Sequence, residues 1–311
     1  MTQNRFYANE LADLVRVLRI PDPFITKTRS KFSAIEALGL LLARFKSAGD
    51  LNDLAMMYQR PASAISEVVN GLAFWIDERS GMLLGFDTEG ILAPEKLQSY
   101  AHAIHEAGAP IDSVWGFIDC TIRAMCRPFR YQRQAYNGYK KVHALKYQAV
   151  KLPNGLLGHI HGPEVGRHND NHLLVTSGLL DLCTMHAIRP GASASSHPAR
   201  RYLQLFGDPA YGNSYHLISP FSGAGNRTND EKRWNEAMAR VRIEVEHAFG
   251  GILRLWPYLN AWWKHRVYAS PLGVYYRVGC LLTNAHNCIH PNQTAQYFSC
   301  EPPTLDEYFH D

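Results

Sequence analysis

Four acids stand where a carboxylate is costly unless something compensates it. Asp119 closes the apolar run Ser113-Val114-Trp115-Gly116-Phe117-Ile118, and a carboxylate within a buried strand must be paired, hydrogen-bonded or bound to a metal. Asp208 repeats the arrangement. Residues Arg201 to Phe206 read as a strand running into Gly207-Asp208-Pro209-Ala210-Tyr211-Gly212, which puts the acid at a strand's carboxyl end, where clefts form in α/β sheets. Glu244 and Glu246 lie in a long helical stretch. At about 100° per residue they border its apolar stripe on opposite sides, so both cannot face one ion, and periodicity leaves the choice open. Plainer readings exist for each acid: a salt bridge from Asp119 to Arg123 or Arg127, an Asp-Pro turn at 208, and a surface pair of Glu246 with Arg242 four residues earlier. Together, two strand-end aspartates and a helix-border glutamate suit Mg²⁺, which prefers hard oxygen ligands. Two such ions about 4 Å apart activate a water or a 3′-hydroxyl and stabilise the leaving oxygen of a phosphodiester, with no protein nucleophile.

The surroundings of Asp119 fit a polyanionic substrate. Between Asp119 and Lys151 stand eight cations (Arg123, Arg127, Arg130, Arg133, Lys140, Lys141, Lys146 and Lys151) and no second acid. A basic field around one carboxylate suits a phosphate backbone held near a metal, and a solvated basic face has the same composition.

The elements that must position these residues are legible in the pattern. Ser113 to Thr121 is a short β-rich run and predicts a buried strand. Ala144–Leu152 and Leu156–His161 flank Pro153-Asn154-Gly155 and predict a hairpin. Asn171–Cys183 reads as one helix. Trp234, Met238, Val241, Val245, Phe249, Ile252 and Trp256 form one apolar stripe at steps of three and four, predicting a helix over about 229–256 with Thr228, Asn229 and Asp230 as candidate caps. Strands first, then a strand and a long helix, predict an α/β fold with a mixed sheet flanked by helices.

Upstream, Ala34–Phe45, Leu51–Met57 and Ala62–Trp75 read as three helices joined by breaks at Gly49-Asp50 and Gln59-Arg60-Pro61. Short helix, tight turn and a further helix with Ser63 and Ser66 near its start form a helix-turn-helix pattern, although few basic residues lie on that last helix. An all-helical packing region without DNA contact fits the same pattern. The expected organisation is a helical helix-turn-helix DNA-binding region at 1–78, a connector with one helix (94–106) at 79–112, and a nuclease domain at 113–311.

Composition narrows the classes. The chain has 311 residues, 46% hydrophobic and 19% charged, with a formal net charge of +4, values of an ordinary globular protein rather than a disordered one. No apolar run approaches the length of a membrane span, so no membrane partner is expected, and the N-terminus lacks a secretory pattern. The six cysteines include no CxxC pair and are expected as reduced thiols. His159, His161, His168 and His172, and the group His286, Cys288 and His290, are expected to be structural rather than zinc ligands. Trp262-Trp263-Lys264-His265-Arg266 suits stacking on an unpaired base or core packing equally well.

The ordered motifs carry a resemblance. Val114-Trp115-Gly116-Phe117-Ile118-Asp119-Cys120-Thr121, Tyr136-Asn137-Gly138-Tyr139-Lys140-Lys141-Val142-His143, Gly166-Arg167-His168-Asn169-Asp170, Gly207-Asp208-Pro209-Ala210-Tyr211 and Arg242-Ile243-Glu244-Val245-Glu246-His247-Ala248-Phe249-Gly250 together resemble the DDE domain of PIF/Harbinger transposases. The match is densest over 114–256. The resemblance implies an RNase H-like fold, Asp119, Asp208 and Glu246 as catalytic metal ligands, and two Mg²⁺ or Mn²⁺ ions. Glu246 is preferred over Glu244 because relatives carry the third acid just ahead of a Phe-Gly pair. Asp170 falls where relatives keep an aspartate sometimes counted among the ligands, but Asn169 intervenes here and a helix cap is the competing role. Relatives often carry Lys seven residues after the third acid, where this chain has Leu253 and then Arg254. The implied activity is a DNA transposase or transposase-derived endonuclease acting on double-stranded DNA, with a domesticated, idle DNA-binding protein as the alternative. The resemblance also implies a nuclear location with a cytoplasmic pool, a Myb-like helper protein and a homo-oligomer on DNA.

Overall fold

Local signals set most of the element boundaries in the computed structural model, which describes residues 5–310 apart from 224 and 226 and, over 244–248, the helical backbone without the side chains. The chain opens with α1 (Ala8–Val17), a hairpin of β1 (Phe24–Ile25) and β2 (Lys31–Phe32), and three helices, α2 (Ala34–Lys46), α3 (Leu51–Tyr58) and α4 (Ala62–Ser80). Ser33 caps α2 by accepting from the Glu36 amide, and Asp50 and Asp53 form a capping box on α3. After α5 (Pro94–Glu106) come β3 (Val114–Ala124), α6 (Gln132–Ala135), β4 (Tyr136–Asn137), β5 (Val142–Lys151) and β6 (Leu157–Val165). Then follow α7 (Asp170–Thr176), α8 (Leu179–His186), α9 (Pro198–Arg201), β7 (Gln204–Phe206), β8 (Leu217–Ile218), α10 (Asn229–Leu255), α11 (Leu272–Ile289), α12 (Gln293–Phe298) and α13 (Leu305–Tyr308). A capping box between Thr228 and Glu231 starts α10.

The main sheet runs β4-β5-β3-β7-β8, with β6 also paired to β5. β5 is antiparallel to both β3 and β6, whereas β7 is parallel to β3 and β8 to β7. Successive side chains alternate between the faces. On one face Lys151 lies over the Phe249 ring of α10 and Tyr147 packs on Tyr276 of α11. On the other, Gln148 donates to Ser177 at 3.1 Å and Lys146 pairs with Asp170 of α7. A mixed sheet flanked in this way is consistent with an RNase H-like fold. Among the described residues no helix is long and apolar enough to cross a membrane.

One hydrophobic cluster runs from Phe6, Leu14 and Leu38 through Trp115 and Tyr147 to Trp256, Leu281 and Tyr308. The three N-terminal helices stand where expected, but they share that core with the sheet. Helix α4 packs on α2, α3 and α11, and Arg277 holds Asp77 at 2.7 Å.

Several boundaries differ from expectation. The 171–183 helix breaks into α7 and α8 at Gly178, whose φ of 63° is left-handed and cannot continue an α-helix. The strand expected over 201–206 is only Gln204–Phe206, because Pro198 starts the short helix α9 just before it. Asp119 does not end its strand; β3 continues to Ala124 along β5. The hairpin at 153–155 forms with Gly155 at φ 82°, where a Cβ would meet Asn292 Oδ1 at 2.2 Å.

Two imidazoles, buried His159 and half-buried His286, are held neutral by their surroundings. Burial, with His161 nearby, pulls His159 down to about 4, and burial, with His290 beside it, takes His286 to about 4. Between the ordinary value of 6.5 and about 4 the unfolded chain binds more protons, so stability is whole above 6.5 and falls with pH through that window. For His159 alone the full loss is about 3 kcal/mol. Urea midpoints are expected to fall between pH 7 and pH 5, and His159→Gln is expected to flatten that dependence; an unchanged slope contradicts the assignment.

Candidate metal centre

The site grows from a mismatch in strand length. β3 has 11 residues and its parallel neighbour β7 only three, ending at Phe206 opposite Phe117. Among the described residues the side of β3 that faced β7 has no strand partner beyond Phe117, and the chain leaving β7 turns across it. Gly207 is tight there: a Cβ would meet Ile118 Cγ2 at 3.0 Å and Tyr211 Cδ2 at 2.8 Å. Asp208 follows at once as the cap of a 3₁₀ turn over Pro209–Tyr211, its carboxylate accepting from the Ala210 amide at 2.5 Å. Ser219 donates to the Asp208 carbonyl at 2.9 Å and fixes the backbone. The strand end therefore carries Asp208 into a turn whose flanking Gly207 and Tyr211 pack against Ile118 and Cys120, the neighbours of Asp119 on β3.

Asp119 is held in place by its own strand, pairing with Ala149 and accepting from the Cys120 amide at 2.8 Å. Burial raises its proton affinity above the ordinary carboxylate value, an effect opposed by Lys151, the Cys120 amide and Arg242 and reinforced by Asp170. Lys151 comes from β5, its ammonium 3.9 Å from the Phe249 ring centroid. Arg242 and Phe249 thus bring α10 to the Asp119 side of the sheet. Glu246 lies between them in the helical backbone, four residues after one and three before the other; the side chains of Glu244 and Glu246 lie outside the described residues.

On the opposite face Asp170 sits at the first position of α7. The cap itself is Asn169, which accepts from the His172 amide at 2.8 Å. Asp170 instead pairs with Lys146, which is 6% exposed and also donates to the His168 carbonyl at 3.0 Å. Tyr211 closes the group by donating to Cys120 Sγ at 3.2 Å. Burial, Cys120 and the charges of Asp170 and Asp119 push the Tyr211 phenol far up, and burial with Asp170 does the same to the Cys120 thiol, so both stay protonated.

The other basic residues divide by position. Arg127, Arg130, Arg133, Lys140 and Lys141 are exposed on the excursion between β3 and β5, beside the exposed rings of Phe129, Tyr131 and Tyr139. Arg123 turns inward, bonded to Thr121 with its guanidinium 5.4 Å from the Tyr276 centroid. Ser63 is exposed and Ser66 half-buried in the first turns of α4. Sequence reasoning did not single out Lys151, Arg242 or Tyr211 as site residues. Tyr211 carried a signal, standing in the same Asp-Pro-Ala-Tyr run as Asp208; the two cations needed the fold.

The donors fit a divalent cation. Asp119 and Asp208 offer hard oxygens, and Asp119 is a half-buried carboxylate whose neighbouring cations do not offset its desolvation, a deficit that a bound cation removes. Residues 118–284, more than half the chain, match the family described as DDE superfamily endonuclease. The chain belongs to this endonuclease family. No curated protein and no solved structure matches it. The family match begins one residue before Asp119, takes in Asp170, Asp208 and all of α10, and ends within α11. A family of endonucleases implies a DNA substrate and divalent metal ions.

In the metal-free fold the ionised form of Asp119 is destabilising. Because its folded value is raised, the stability it contributes is present below the ordinary value of 3.8 and lost as pH rises through the folded value. At neutral pH without metal, Asp119→Asn is expected to raise the thermal midpoint, with the gain shrinking on acidification toward that ordinary value. Added Mn²⁺ is expected to stabilise the wild type more than the variant. A variant less stable than wild type at every pH contradicts this account.

Proposed function

We propose that this chain is a transposase or transposase-derived endonuclease of the PIF/Harbinger type, cleaving DNA phosphodiesters with Asp119, Asp208 and Glu246 as metal ligands. The observation that carries the reading is that the turn bearing Asp208 packs, through Gly207 and Tyr211, on the β3 residues either side of Asp119, within the span that matches the endonuclease family. Support for Glu246 comes from its helical spacing. Arg242 and Phe249, one turn to either side, both belong to the neighbourhood of Asp119 and Lys151, and a residue between them at i+4 and i−3 shares their face.

Two Mg²⁺ or Mn²⁺ ions, when bound, activate the attacking water or 3′-hydroxyl and stabilise the leaving oxygen. The chain's own residues do the rest. Asp119 and Asp208 present carboxylates from backbone positions fixed by the strand and the 3₁₀ turn. Lys151 and Arg242 hold positive charge beside Asp119, which favours its ionised form and an incoming phosphate alike. Lys146 neutralises Asp170, keeping that acid from opposing a polyanion. The exposed Arg127, Arg130, Arg133, Lys140 and Lys141 bind the duplex backbone.

The rest of the reading concerns the whole protein. Helices α2 to α4 read terminal DNA as a helix-turn-helix, with Ser63 and Ser66 at the contact. The protein acts in the nucleus, as an oligomer on DNA, with a Myb-like helper. Retention of all three acids favours activity over an idle fold.

Purified full-length protein is expected to nick duplex DNA carrying its terminal sequence in Mn²⁺. Asp119→Asn, Asp208→Asn and Glu246→Gln are each expected to lower the rate by about a thousandfold or more while leaving duplex binding intact. Binding without cleavage by the wild type makes this an idle DNA-binding fold and overturns the proposal. Replacing Arg127, Arg130, Arg133, Lys140 and Lys141 with Ala is expected to flatten the salt dependence of binding by about 0.9 in log–log slope per lost phosphate contact. An unchanged slope moves the duplex elsewhere.

A further inference from the structure

We infer that the corner between β6 and α7 is a second metal site, formed by Glu164, His168 and His172 and suited to one transition cation of the Zn²⁺ class. One ligand atom from each of the three lies within 4.8 Å of the others. The carboxylate of Glu164 is 3.1 Å from His168 Nδ1, and the His168 and His172 rings stand 3.7 Å apart between centroids at 46°. Tetrahedral ligands at bonds of about 2.0–2.1 Å are about 3.3 Å apart, so the set has to close by no more than about 1.5 Å. His161 Nε2 lies a further 3.8 Å from Glu164, which brings a third imidazole to the rim. His172 is exposed, so solvent reaches the cluster.

The donors come from three places that the chain fixes separately. Glu164 lies on β6, which is paired to Lys146 of β5. His168 follows the turn at Gly166, where a Cβ would meet the Ala135 and Ala144 carbonyls at 2.5 and 2.7 Å. His172 is on the first turn of α7, its amide tied to Asn169. Two imidazoles and one carboxylate are the donor set of borderline cations such as Zn²⁺, whereas Mg²⁺ favours oxygens alone. An ion there ties strand, turn and helix together at the corner that presents Asp170. The same corner supplies the His168 carbonyl that Lys146 grips. The inference does not rest on cleavage, since none of these donors is among the three acids proposed for it.

The test is Zn²⁺ titration of the chelator-stripped full-length protein against a chromophoric competitor, with excess Mg²⁺ present. One Zn²⁺ per chain is expected in the wild type and equally in Asp119→Asn. His172→Ala, at an exposed position that folding tolerates, and Glu164→Gln are expected to weaken it by more than about a hundredfold, beyond the range of changes one shell out from a metal. X-ray absorption of the Zn²⁺ form is expected to show nitrogen ligands at about 2.0–2.1 Å. Absence of binding overturns the inference. So does binding that survives His172→Ala but vanishes in Asp119→Asn, which assigns the ion to the acids instead.

Discussion

The structure turns on a half-buried carboxylate placed where a strand loses its neighbour. Had β7 continued past Phe206, ladder hydrogen bonds would have occupied that side of β3 and sealed Asp119 within the sheet. Because β7 stops after three residues, the chain leaving it crosses the open edge and brings a second acid. The cations near Asp119 do not offset its desolvation, so its carboxyl binds a proton more readily than an ordinary carboxylate. A fold can carry such a destabilising group when its core is large, which is the usual relation between a functional site and the stability around it. Here one cluster of apolar side chains reaches from Phe6 to Phe309.

The basic stretch has three separate uses. Lys146 and Lys151 are five positions apart on β5, an odd spacing, so they leave opposite faces of the sheet. One meets Asp170 on the α7 face, the other stands by Asp119 and Phe249 on the α10 face. Arg123 joins the aromatic packing around Tyr276. The remaining five sit on the exposed excursion and form an outer field. A single patch in sequence thus becomes two inward charges that condition the acids and one outward surface available to a polyanion.

The N-terminal helices are bound into the same body. α4 is wedged between α2, α3 and α11, its Asn70 bonded to the Tyr275 hydroxyl and its Asp77 to Arg277. Whatever α2 to α4 contact is therefore held at a fixed offset from Asp119, through α11 and the sheet. A shared core transmits position better than a flexible linker.

The sequence by itself determined which elements form and which residue types lie near the chemistry. The helical apolar spacing, the capping residue at 228 and the glycine turn at 155 are local, and the structure keeps them. Asp119 and Asp208 were legible because an acid next to an apolar run is anomalous wherever it occurs. Strand lengths were not legible: the end of β7 and the continuation of β3 depend on which partner offers hydrogen bonds, which no local pattern carries. Nor were the pairing of Asp170 with Lys146, the approach of Lys151 and Arg242 to Asp119, or the meeting of Glu164 with His168 and His172. Those are distances between residues remote in the chain or turned by a corner, and only packing the helices onto the two faces of the sheet decides them.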